Sequence, residues 1–189
     1  MNAIGRIHAS ALRQALLALA LLGVGFAPAA HAKSAKKIDA QVNSTLKKFR
    51  STVKGASSLL KQAKGVLVFP NVIKAGIGIG GEYGEGALRI HGKTVAYYSI
   101  ASASIGFQLG AQKKDIIMVF MQQAPLTKFR DSSGWKVGVD GSVALINVGT
   151  GGDLDTMKIN QPIVGFIIGQ EGLMYNLTLE GSKFSKIKR

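Results

Sequence analysis

The residues whose types and spacing could do chemistry are few. Gly76-Ile77-Gly78-Ile79-Gly80-Gly81 satisfies the pattern GxGxxG. A dinucleotide site needs a strand before that pattern, a helix opening at its third glycine and an acid about 20 residues on. Here Glu82-Tyr83-Gly84-Glu85-Gly86 cannot easily start a helix, and no acid lies between Glu85 and Asp115. Gly92-Lys93-Thr94 lacks the upstream glycine of a phosphate loop. His91 sits beside a turn and reads as a solvated loop residue, and no GxSxG elbow exists for a serine nucleophile. Asp153 and Asp155 follow Gly151-Gly152 but lack the third ligand and distal Glu of a calcium loop. Glu82 and Glu85 flank Tyr83, a weak basis for acid–base work in a glycine-rich turn. With no cysteine, thiolate chemistry, disulfides and a diacylglyceryl anchor are all excluded. The expectation is a non-enzyme with no catalytic residues, cofactor or metal.

Charge says more. Arg6 and Arg13 precede an apolar run from about Ala15 to Phe26, and Ala30-His31-Ala32 offers small residues for cleavage. This is the pattern of a secretory signal over residues 1–32, too short and wrongly flanked for a stable membrane span. Cleavage after Ala32 leaves 157 of the 189 residues, the size of one domain with a real core. Residues 33–64 then hold nine Lys/Arg against Asp39 alone, and residues 182–189 add four more cations. Residues 65–181 carry nine of each sign and are neutral. The basic character belongs to the two ends.

The elements that must position these charges follow from periodicity. Ile38, Val42, Leu46, Phe49 and Val53 recur at helical spacing within about 80° of one another, so Lys33 to Val53 reads as an amphipathic helix. Lys36, Lys47 and Lys54 fall on the opposite side, with Arg50 nearer the boundary. Gly55 interrupts the helix, and Ser57 to Ala63 supplies another turn or two. Whether the apolar stripe faces lipid or the rest of the protein is open at this level.

From Gly65 onward short apolar strands alternate with turn signals, among them Gly92-Lys93, Asp140-Gly141 and Glu171-Gly172. Candidate strands include Val66–Phe69, Ala75–Gly80, Ala87–Ile90, Thr94–Ile100, Ser104–Leu109 and Leu173–Leu179. Ile116–Phe120 and Ile163–Ile168 look covered on both faces. Pro125 to Arg130 fits one helical turn. The fold class is α+β, mainly β: an antiparallel, glycine-rich β-sandwich or closed barrel with an N-terminal amphipathic helix. Gly76, Gly78 and Gly80 lie two apart, so they leave one strand face bare. Something must pack closely there, another part of the protein or a partner.

Four segments taken together resemble the SYLF domain family: AKGVLVFPNVIKAGIGIGGEYGEGALR (from Ala63), YYSIASASIGFQLGAQ, GWKVGVDGSV and GLMYNLTLEGSKFSKI. The resemblance runs from about Ala63 to Ile187. It implies phosphoinositide or phospholipid binding, with an N-terminal amphipathic helix in membrane contact, and actin binding in the yeast branch. An exported chain of bacterial type meets neither actin nor cytosolic phosphoinositide, so the expected ligand shifts to anionic phospholipid or another envelope amphiphile.

The expected protein is therefore exported and periplasmic, peripheral to the inner face of the outer membrane. It comprises a signal over 1–32 and one SYLF-like domain over 33–189, with a basic helical segment (33–64) and a β-body (65–189). The expected lipid-binding residues are Lys36, Lys37, Lys47, Lys48, Arg50, Lys54, Lys61 and Lys64. Nucleic acid is not an expected partner, because only Phe49 interleaves the basic run. The alternative is an envelope assembly protein that docks a partner or itself through the glycine-rich face.

Overall fold

Helical periodicity stops at Gly65, and the secondary structure changes at the same residue. The structure, a computed structural model, describes residues 33–148, 160–172 and 178–189, with backbone alone over 105–109. These belong to one compact unit, Lys33–Arg189. The expected signal segment, Asp153, Asp155 and most of the expected strand from Leu173 lie outside the described residues.

Helix α1 runs Ala35–Thr52, with Ser34 as N-cap accepting from the Lys37 amide at 3.3 Å. Gly55 takes a left-handed φ of 85°, and α2 follows over Ala56–Gln62. Then come β1 (Gly65–Ile90), β2 (Lys93–Phe120), α3 (Gln123–Asp131), β3 (Trp135–Lys136), β4 (Ala144–Asn147), β5 (Ile163–Gly172) and β6 (Lys183–Ile187).

The separate short strands read from the sequence merge into two long ones. β1 and β2 pair antiparallel from Gly65↔Phe120 to Ile90↔Lys93. Pro70 and the glycines, which look like breaks in the sequence, are absorbed as register shifts at Phe69/Val72 and Ile77/Ile79. The hairpin turn is His91-Gly92, both with positive φ (49° and 77°), as a type I′ turn requires. That is one residue earlier than the glycine-lysine signal suggested.

Along its other edge β2 pairs β6 at Tyr97–Ala101 and β5 at Gln112–Phe120. The sheet order is β3-β6-β2-β5-β4, with β1 on β2. β4 and β5 are parallel, so the sheet is mixed and not purely antiparallel. The class is α+β, mainly β, and the sheet curls into a half-barrel.

Strand alternation sends side chains to two cores. Leu67, Phe69, Ile116, Met118 and Phe120 join one, where α3 adds Leu126 and Phe129 beside Trp135 and Phe184. Phe129 centres that cluster, 4.9 Å from Tyr98, 5.2 Å from Phe120 and 5.6 Å from Trp135. Val66, Val68, Ile117, Val119, Val164 and Phe166 join the other, beneath α1 and α2. Both faces of the central strands are thus covered, which explains their continuous apolar runs.

The stripe on α1 faces the sheet. Ile38, Val42 and Phe49 are fully buried and Val53 nearly so. The Phe49 ring packs on Phe166 at 4.8 Å. Asp39, the one acid of the basic segment, fixes the helix to the hairpin. It accepts from Thr94 Oγ1 at 2.7 Å, Tyr97 hydroxyl at 2.9 Å and Arg89 Nη2 at 3.3 Å. Further along, Asp115 accepts from the Asn71 amide at 2.9 Å and pairs with Lys48 at 3.5 Å.

The chain's own backbone occupies much of the space that the glycines leave. A Cβ at Gly76 would run into Gly80 and the Ile79 carbonyl, and one at Gly86 into the Val68 carbonyl. A Cβ at Gly84 would press on Val72. β1 therefore bends back so that its second arm lies against its first. The bend contains Gly78, which has φ 71° and nothing within 4 Å of a built Cβ. The bulge breaks the strict two-residue alternation, so Gly76, Gly78 and Gly80 do not form one uniform bare face.

Candidate functional site

Helices α1 and α2, the start of β1 and the β1–β2 turn enclose a groove of about 780 Å³. Leu46, Leu60, Ala63 and Val66 supply apolar surface; Arg50, Lys61, Arg89 and His91 supply polar and cationic groups. The helical spacing that buries Phe49 puts Leu46 at the edge of the stripe and Arg50 just beyond it, so both reach this groove. Arg89 arrives from the end of β1, carried there by the tight turn.

Arg89 is held in place from several sides. Its Nη1 donates to the Gly92 carbonyl at 3.0 Å and its Nη2 to Asn43 Oδ1 at 3.0 Å, besides the Asp39 contact. Its buried Nε has no hydrogen-bond partner among the described residues. A buried donor left unpaired is costly. Burial, and then the hydrogen bond to Asp39, raise the Tyr97 pKa, so its hydroxyl stays a donor to that carboxylate. Arg50 and Lys61 have no ion-pair partner among the described residues. The arrangement suits a molecule with an anionic head and a hydrocarbon body; its volume lies within the usual range for small-ligand sites.

All eight basic residues singled out from the sequence are solvent-exposed. Only Arg50 and Lys61 line this groove. Lys48 turns to Asp115 and a smaller polar cleft with Gln41, Ser44, Thr45 and Asn71. Lys36, Lys37, Lys47, Lys54 and Lys64 form no ion pair among the described residues and leave their charge in water. Sequence reasoning missed Arg89 and set His91 aside. Arg89 flanks the turn and His91 lies in it, and Arg89 reaches α1 through contacts 46 and 50 residues apart in sequence, which no local pattern carries.

Glu82 and Glu85 do not form a carboxylate pair. Both are buried in β1, not placed in a turn, because the strand continues through the glycines. Glu82 lies 2.8 Å from the fully buried Lys114, and Glu85 pairs with Arg189. Each acid is matched to its own cation. Among the described residues there is no cluster of His, Cys, Asp and Glu able to hold a metal, and no helix long and apolar enough to cross a membrane.

Residues 101–189 match the family model Ysc84, described as Las17-binding protein actin regulator. Over these residues the match supports a SYLF-family domain. The SYLF match takes in β2 from Ala101 through β6, and with it three of the four segments that carried the resemblance, the first of these three from Ala101 on. The glycine-rich stretch at Ala63–Arg89 and the whole groove lie before the matched residues. The SYLF body therefore supports the groove without itself lining it. A comparison with curated proteins finds no match.

Proposed function

We propose that this protein is exported, performs no catalysis, and binds an anionic amphiphile of the envelope, with anionic phospholipid as the leading class. The single observation that carries this reading is the groove, where Arg50, Lys61 and Arg89 surround the apolar surface of Leu46, Leu60, Ala63 and Val66. The docked stripe changes how α1 takes part. Its apolar residues hold the sheet, so membrane attachment falls to the outward Lys36, Lys37, Lys47 and Lys54 acting through charge, and to the groove acting on single molecules.

The chain beginning at Lys33 is expected to sediment with phosphatidylglycerol vesicles and not with phosphatidylcholine vesicles. Each lysine near such a surface contributes on the order of 1 kcal/mol, within a Debye length of roughly 10 Å at 0.1 M salt. Binding is therefore expected to fall steeply as salt rises. Equal, salt-insensitive binding to both vesicle types, or none to either, would sink the reading.

A second reading, an assembly protein that docks through the glycine-rich segment, has one observation in its favour. Ile73, Ile77 and Ile79 stand 56%, 80% and 70% exposed at the bend of β1. Light scattering that finds a dimer dispersed by Ile77→Ser with Ile79→Ser would favour it; a clean monomer removes it.

A further inference from the structure

The first described residue makes a contact that the lipid-binding reading does not use. The backbone nitrogen of Lys33 donates to Glu85 Oε2 at 3.2 Å. The Glu85 side chain is only 6% exposed, and its Oε1 accepts from the Tyr83 hydroxyl at 2.9 Å and pairs with the Arg189 guanidinium. Three donors from distant parts of the chain thus converge on one buried carboxylate. One of them is the nitrogen that follows the small-x-small sequence Ala30-His31-Ala32.

We propose that hydrolysis of the Ala32–Lys33 bond places a new α-ammonium on Glu85, so that processing completes a buried ion-pair cluster. The inference rests on residues 1–32 being a cleaved leader. A secretory endopeptidase supplies the catalysis. Water adds its hydroxyl to the Ala32 carbonyl carbon, the C–N bond breaks, and Ala32 leaves as a carboxylate. The Lys33 nitrogen departs as an amine and takes a proton.

Before cleavage that nitrogen is a neutral amide with one hydrogen to donate. Afterwards it carries a full charge and three hydrogens at the same position. Charge-assisted hydrogen bonds are about twice as strong as neutral ones, and a buried carboxylate gains most from them. Glu85 has one guanidinium partner before processing and two cations after it. The Lys33 side chain does not supply that contact: it forms no ion pair or hydrogen bond with Glu85, and burial lowers its pKa although Glu85 pulls the other way. Position is selective, because one residue more or less moves the amine by about 3.5 Å.

N-terminal sequencing of the exported protein is expected to begin at Lys33; another start overturns the processing half of the proposal. The Glu85 half is tested separately on purified chains released from a cleavable fusion, one beginning at Lys33 and one with a glycine added ahead of it. The extended chain is expected to unfold at a lower urea concentration, and that shift is expected to vanish in Glu85→Gln. Equal midpoints in the wild-type background, or an undiminished shift in Glu85→Gln, overturn it. Should Glu85→Gln not fold, acylation of the Lys33 α-amine decides. Labelling is expected to be several-fold slower in the folded chain than in the urea-unfolded chain, and equal rates overturn the pairing.

Discussion

Phe49→Ala is expected to lower the unfolding free energy of the chain beginning at Lys33 by about 3–5 kcal/mol, the range for a buried Phe. Phe49 is completely buried and packs at a tilt against Phe166, in the layer that joins α1 to the sheet. Its removal deletes apolar contact on both elements and leaves a cavity between them. Urea denaturation followed by circular dichroism reads the loss directly. A helix whose stripe faced lipid would behave differently, because an exposed apolar side chain in water contributes within about 0.5 kcal/mol. A change that small would place α1 off the sheet.

Gly86→Ala is the second large expected effect. The new methyl would run into the Val68 carbonyl and press on the Phe69 ring. Backbone on one side and a core ring on the other leave little room to yield, so the expected cost is about 3 kcal/mol. Gly81→Ala is the matched control. Among the described residues the only atom near its built Cβ is the Ser102 carbonyl oxygen at 4.0 Å, so it should change stability by less than about 0.5 kcal/mol. Equal midpoints for the two variants would mean that the arms of β1 do not lie against each other.

The contrast between these two residues shows what the sequence makes legible. The 3.6-residue recurrence of Ile38, Val42, Phe49 and Val53 announces a helix and its buried face, because that signal is local. It leaves open what covers the face. The glycine stretch announces close packing but not its partner, since Gly76 meets Gly80 within one bulge while Gly86 meets Val68 across a folded ribbon. Alternation counted along the sequence fails at Gly78, where the register shifts. Turn residues inside β1 and β2 hide two long strands, because bulges absorb them without ending the ladder.

The candidate groove is the least legible part. Asp39 meets Thr94 and Tyr97 more than 50 residues away, and that docking is what carries Arg89 to Asn43. Charge counting finds Arg50 and Lys61 but weights them no more than Lys36 or Lys47, which face open water. What separates them is the company of Leu46, Leu60 and Val66, a property of the packed helices and not of composition.

The central claim is that this groove, not net charge alone, receives the amphiphile. The direct measurement compares two charge-matched variants for binding a short-chain phosphatidylglycerol below its micelle concentration, by calorimetry. One is Arg50→Glu with Lys61→Glu in the groove. The other is Lys128→Glu with Lys136→Glu, exposed positions on α3 and β3 that do not line it. The groove variant is expected to lose at least ten-fold in affinity and the control to bind as the parent does. Equal loss in both, or no binding by the parent chain, would contradict the groove as the site.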